Sequence, residues 1–124
     1  MSPVSVLIVD DHESFRRVAA SVVEATDGFI VVGTAGSGEG SLVAAERLRP
    51  DLVLMDVNLP GIDGIEATRR LRTDSRGPVV VLLSTDDEGD LDPRVGQCGA
   101  LTYIAKSAFG PERLSAAWAM ATGG

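Results

Sequence analysis

The feature that most limits what this chain can fold into is the segment 51–60, DLVLMDVNLP. Its middle, Leu52, Val53, Leu54 and Met55, is an unbroken apolar run. That length suits a strand buried on both faces and is short for a helix. The run stops on the carboxylate of Asp56, and Asn58 with Leu59-Pro60-Gly61 supplies a turn. Asp56 is therefore expected at the carboxyl end of a buried strand, with a loop beyond it. In open parallel sheets that edge is where ligands bind. A carboxylate there is either solvated and idle or part of a site, and the rest of the chain bears on which.

The other segments repeat the pattern. Residues 4–9 (VSVLIV) form a β-branched apolar run that ends on Asp10-Asp11, followed by His12. Phe15, Val18, Ala19, Val22 and Val23 then lie on one face of a helix stopped by Thr26-Asp27-Gly28. A second strand is expected over 29–32, a glycine-rich connection over 33–40 with Ser37 a candidate N-cap, and a helix over 42–48 ended by Pro50. A third helix follows the central strand, from Asp63 or Gly64 to about Arg72. Residues 79–83 (VVVLL) read as a fourth strand ending on Ser84-Thr85. Glycines and acids then break the pattern over 86–99, where a short or poorly ordered helix is expected. Residues 101–105 form a last strand ending on Lys106. The final helix has Gly110 at its N-cap, Pro111 at its first position and Phe109 and Leu114 at staple spacing, and runs to about Ala121.

Strand and helix thus alternate five times, which implies an α/β fold: one parallel sheet with helices on both faces. A chain of 124 residues, 44% of them hydrophobic, supports one such domain over 1–124. The formal net charge of -7 argues against direct nucleic-acid binding, which needs a cationic face. With Cys98 the one cysteine, no internal disulfide forms, and a reducing, cytoplasmic setting is expected. No apolar run approaches a membrane span.

Because parallel strands end at a common edge, Asp10, Asp11, Asp56, Ser84 and Lys106 should meet in one cleft. Two unit charges about 4 Å apart interact by roughly 4 kcal/mol at an effective dielectric of 20. Three carboxylates are not neutralised by one lysine, so either some stay protonated or a cation binds. Hard oxygen ligands suit Mg²⁺, which takes one or two carboxylates and keeps several waters. A remaining carboxylate, with an ammonium and a hydroxyl beside it, is suited to accept a phosphoryl group, a transfer governed by positioning and charge neutralisation.

At this point the sequence resembles the receiver domain of bacterial response regulators, the two-component signalling family. The resemblance covers essentially the whole chain and rests on IVDDH at 8–12, LMDVNLPGIDG at 54–64, LLST at 82–85 and YIAKS at 103–107. It implies a flavodoxin-like (βα)5 domain with strand order 2-1-3-4-5. It also implies that Asp56 takes a phosphoryl group from a sensor histidine kinase or phosphotransfer protein. Asp11 and Asp56 would ligate Mg²⁺ (or Mn²⁺) directly, Asn58 through its backbone carbonyl, and Asp10 through water. Lys106 would pair with Asp56 and then with the phosphoryl oxygens. Ser84 and Tyr103 would be switch residues that reshape the surface of the fourth helix, fifth strand and fifth helix. DDH and YIAKS further resemble receivers joined to a LuxR-type helix-turn-helix domain, which implies a DNA-binding output domain outside this chain and a possible homodimer. Such a domain catalyses only its own phosphorylation and dephosphorylation.

Two positions depart from the family pattern. Ser107 follows Lys106 where many receivers carry proline, so a trans bond is expected there. Thr85 replaces the usual small residue and would narrow access to the acceptor. His12 reads as a solvated residue at a helix start, Cys98 and Met55 as packing residues, and Trp118 as packing or lying at a contact surface. Three other protein classes fit these residues less well. An aspartate-nucleophile phosphatase of the haloacid-dehalogenase type would carry its nucleophile after the first strand with a second Asp two residues on, whereas Asn58 stands two beyond Asp56. A nucleotide or flavin binder would offer glycines in its first turn, where this chain has two acids. A receiver-like module that binds partners without phosphorylation would lack the complete acceptor set.

Overall fold

The computed structural model describes residues 2–73, 77–85 and 92–123. Among them are five strands: β1 (Val4–Val9), β2 (Phe29–Ala35), β3 (Leu52–Asp56), β4 (Val79–Ser84) and β5 (Thr102–Ala105). They pair in parallel in the order β2-β1-β3-β4-β5. Four α-helices connect or follow them: α1 (Glu13–Glu24), α2 (Gly38–Leu48), α3 (Gly64–Leu71) and α4 (Pro111–Thr122). The fourth crossover carries a 3₁₀ helix, Pro93–Gln97. A second short 3₁₀ turn, Lys106–Ala108, follows β5. Among the described residues of that segment the expected short fourth helix is this 3₁₀ helix, and the acid-rich part, 86–91, lies outside the described residues.

Side-chain alternation divides the core into two layers. Leu7, Val9, Val53, Met55, Val80 and Leu82 face α2 and α3. Val6, Ile8, Leu52, Leu54, Val81 and Leu83 face α1 and α4. Both faces of β3 are therefore covered, as its uninterrupted apolar run requires. Cys98 packs in the first layer, and Trp118 packs against the second, edge-on to Phe29 with ring centroids 6.5 Å apart. Phe109 and Leu114 join the second layer, in keeping with their staple spacing. The described peptide bonds, Lys106–Ser107 included, are trans.

Two elements run longer than the sequence suggests. β2 continues through Gly33 to Ala35 because β1 pairs with it along that length, across an irregularity between Val6 and Leu7. α2 begins at Gly38 rather than residue 42, although Gly38 and Gly40 are poor helix formers. Ser37 compensates: its hydroxyl accepts the Gly40 N–H at 2.9 Å, while Gly38 and Ser41 are buried. α3 is capped in the same way by Asp63, which accepts the Glu66 N–H at 2.8 Å. Arg72, expected as its last residue, is its C-cap.

Candidate functional site

The strands carry their chemical residues to one edge. The register Val9–Met55 between β1 and β3 sets Asp10 beside Asp56 just past the sheet's end. Asp56 has the parity of Leu52 and Leu54 and Asp10 that of Val6 and Ile8, so both carboxylates belong to the α1/α4 side. Both are almost fully buried, at 1% exposed for Asp10 and 2% for Asp56, while Asp11 is exposed. Oxygens of Asp10, Asp11 and Asp56 and a ring nitrogen of His12 all lie within 4.8 Å of one another.

Lys106 reaches this cluster from the turn after β5. Its Nζ stands 2.6 Å from Asp10 Oδ2 and 3.5 Å from Asp56 Oδ2. Lys106 thus stands in ion-pair reach of Asp56, as the sequence leads one to expect, and makes a closer pair with Asp10. The physical reason is charge density. With two buried carboxylates side by side, an ammonium placed between them relieves their repulsion, and here it settles against Asp10. The same Nζ lies 4.4 Å from the centroid of the Phe15 ring, a cation–π contact from α1. Arg16, one residue on, donates to the Asp10 carbonyl oxygen at 2.7 Å and ties α1 to the end of β1. Neither contact had a signal in the sequence beyond the helical spacing of Phe15.

Asp56 is held by its own loop. Its Oδ1 accepts the Asn58 N–H at 3.2 Å. Val57 N–H donates to Leu83 O and Gly64 N–H to Val57 O, both at 2.9 Å, which folds the loop back over the strand end. Gly64 is required here, because a Cβ at that position would overlap the Asp56 carbonyl oxygen. Asn58 is exposed and Gly61 has φ +72°, so the loop turns outward beside the acids. Burial pushes the Asp56 carboxyl above the ordinary range; the Asp10 charge adds to the rise, while the Asn58 N–H and Lys106 oppose it.

Ser84 and Tyr103 lie on the other side of the sheet. Ser84 is buried and pairs in register with Ala105, while Leu82 pairs with Tyr103. Both have the parity of the α2/α3 layer, and Tyr103 packs, half-buried, against that layer. They are diagonal neighbours on one face. Thr85 is exposed at the mouth.

His12, which the sequence leaves without chemistry, is in the cluster. Its Nδ1 is 3.1 Å from Asp11 Oδ1 and 3.3 Å from Asp10 Oδ1. Beyond the cluster, Arg94 of the 3₁₀ helix pairs with Asp63 at the start of α3 at 2.6 Å and with Asp92 at 2.9 Å. That contact joins the fourth crossover to the loop that follows Asp56.

A doubly wound parallel sheet with an acidic cluster and a lysine at its carboxyl edge fits a signalling receiver domain rather than a nucleotide binder, whose first turn would offer glycines. Comparison with known proteins agrees. Residues 6–119 match the family model of the response regulator receiver domain, and the chain belongs to that family. It is 44% identical over 105 residues to the response regulator GacA of Pseudomonas viridiflava, covering 85% of this chain and 49% of that protein. It is 37% identical over 113 residues to the response regulator UvrY of Escherichia coli K12, covering 91% and 52%. The chain therefore spans about half the length of the curated relatives it matches. Among solved structures, the signal receiver domain of the response regulator NarL from Mycobacterium tuberculosis superposes with a TM-score of 0.89 at 28% identity, covering 100% of both chains. A LuxR-family two-component response regulator from Aurantimonas sp. SI85-9A1 does so with a TM-score of 0.87 at 29% identity, covering 98% of this chain and 87% of that one. The chain is thus a receiver domain of two-component systems with the flavodoxin-like strand order.

Proposed function

We propose that Asp56 accepts a phosphoryl group from a phosphohistidine on a sensor histidine kinase or phosphotransfer protein. The observation that carries this reading is the convergence of Asp10, Asp11 and Asp56 with Lys106 at the carboxyl edge of the sheet. A carboxylate oxygen of Asp56 attacks phosphorus and forms the P–O bond. The P–N bond breaks, its electron pair stays on the donor imidazole, and the product is an acyl phosphate. The acceptor must be ionised to attack, and Lys106 and the Asn58 N–H favour that form against the burial that opposes it.

The donor set fits a divalent cation of the Mg²⁺ or Mn²⁺ class: hard carboxylate oxygens lie close together, with too little positive charge beside them to neutralise all three. Asp11 and Asp56 would hold it directly, the Asn58 backbone carbonyl would add a ligand, and Asp10 would act through water. When bound, the cation supplies positive charge to the transferring phosphoryl oxygens. Lys106 then turns from the carboxylates to the phosphoryl group. Ser84, at the end of β4, donates to that group, and Tyr103 follows it by turning further into its layer. The fourth crossover, β5 and α4 carry the changed surface, which controls an output domain or partner. The phosphoryl group shifts this equilibrium by binding one state better than the other. The resemblance to GacA, UvrY and a LuxR-family regulator supports a DNA-binding output domain and control of transcription; a cytoplasmic setting and a homodimer belong to the same proposal. On this reading the domain 1–124 turns over no other substrate.

Intact-mass spectrometry after incubation with Mg²⁺ and acetyl phosphate tests the proposal, repeated with a phosphorylated kinase in case Thr85 excludes the small donor. One added phosphoryl group, lost in Asp56→Asn and with chelator, is the expected result. No adduct from either donor would favour a phosphorylation-independent binding module.

A further inference from the structure

The acidic cluster contains a group that oxygen-only cation chemistry does not need. His12 is the N-cap residue of α1, a position whose side chain ordinarily accepts a backbone N–H. It makes no such bond. Its backbone N–H instead donates to Asp10 Oδ1 at 2.8 Å, and its ring folds back so that Nδ1 meets Asp10 Oδ1 and Asp11 Oδ1. Both neighbours of Nδ1 are carboxylates, so in this arrangement Nδ1 carries the proton and donates. Nδ1 therefore faces the acidic cluster. In the other tautomer, with the proton on Nε2, the Nδ1 lone pair points at the same cluster.

We propose that His12 is a fourth protein ligand of the cation site and that it extends the site's range to imidazole-binding divalent metals such as Zn²⁺. This rests on the reading of Asp11 and Asp56 as cation ligands. Ligand atoms on a common ion at about 2.1 Å stand no more than about 4.2 Å apart. The donors of Asp11, His12 and Asp56 already lie within 4.8 Å of one another, so a contraction of about half an ångström or more brings them onto one ion, with Asp10 reached through water. His12 is exposed and begins a helix, so its ring can make that adjustment without disturbing the core. Imidazole adds little to Mg²⁺, which prefers oxygen, and much to Zn²⁺, so its contribution is selective by metal. A domain of this kind is loaded by Zn²⁺ at concentrations where a carboxylate-only site would hold Mg²⁺.

The test is calorimetric titration of the untagged protein with Mg²⁺ and with Zn²⁺, in wild type, His12→Asn and Asp11→Asn. Asparagine keeps a polar side chain and suits the N-cap, so the variant stays folded. His12→Asn should weaken Zn²⁺ binding by about tenfold or more, at least what losing a supporting group costs a metal site, and leave Mg²⁺ within about twofold. Asp11→Asn should weaken both. Because His12 is the one histidine of the chain, a Zn²⁺-induced shift of its Nδ1 resonance in ¹⁵N spectra is an unambiguous second readout. A Zn²⁺-to-Mg²⁺ affinity ratio unchanged by His12→Asn overturns the proposal. So does Zn²⁺ binding that needs His12 but ignores Asp11→Asn, which marks an isolated surface histidine. If Mg²⁺ binding is also indifferent to Asp11→Asn, the cation site itself is wrong and the proposal falls with it.

Discussion

At the scale of single residues, the site is a balance between buried carboxylates and the ammonium set between them. Asp10 is nearly inaccessible and Lys106 is its close partner, so removing the ammonium leaves a buried charge uncompensated. Lys106→Met should cost about 3 kcal/mol in metal-free urea unfolding, with part of the loss restored by Mg²⁺. Asp56 gives a pH signature. Its carboxyl is raised above the ordinary value of 3.8, chiefly by burial, so the folded chain holds that proton more tightly than the unfolded one. Ionising Asp56 therefore costs stability. The cost is absent below the unfolded pKa, grows as pH rises towards the folded value and is complete above it. Asp56→Asn should then be the more stable protein at pH 7 in the absence of metal, with an advantage that disappears on acidification. Urea unfolding across a pH series reads this directly, and a wild type that is the more stable at pH 7 would count against the burial argument.

At the scale of elements, helix starts rather than strand interiors carry the fine positioning. Ser37 begins α2 against the poor propensity of Gly38 and Gly40, so Ser37→Ala should cost about 1 kcal/mol in stability and fray the first turn, visible as faster amide exchange there. Gly64 begins α3 hard against the Asp56 carbonyl. Gly64→Ala should cost about 1–3 kcal/mol in unfolding experiments and slow phosphorylation, because the loop must move the acceptor to make room. These elements also mark what could be read in the sequence and what could not. The five strands were legible because their apolar runs have strand length and end on polar residues. The Ser37 cap was legible too, but not the four helical residues after it: local propensity disfavours them, and they are helical because burial against the sheet and one cap bond outweigh it. Likewise β2 runs on through Gly33 because a neighbouring strand pairs with it, a fact that no local pattern contains.

At the scale of the whole molecule, the topology does the assembling. Parallel strands put Asp10, Asp56, Ser84 and Lys106 at one edge, and this much of the site followed from the order of segments alone. Which carboxylate takes the lysine, and the turning of His12 towards the acids, depend on side-chain reach across neighbouring strands and lay beyond sequence reasoning. The fourth crossover joins the same assembly through the Arg94–Asp63 pair, which links a segment near the proposed output face to the loop after Asp56. A cation bound by the folded cluster and not by the unfolded chain must stabilise the whole domain. At a concentration of 100 times its Kd, Mg²⁺ should add about 2.7 kcal/mol, seen as a rise in Tm that Asp11→Asn abolishes.

In the proposed reaction Asp56, and no other group, receives the phosphoryl transfer. The most direct measurement is borohydride reduction of the phosphorylated protein followed by peptide mass spectrometry. Hydride converts an aspartyl phosphate to homoserine and leaves free carboxylates untouched. Homoserine is expected at position 56 alone, dependent on Mg²⁺. Homoserine at Asp10 or Asp11 instead, or a phosphate that resists borohydride on a hydroxyl or imidazole, would contradict the proposed reaction.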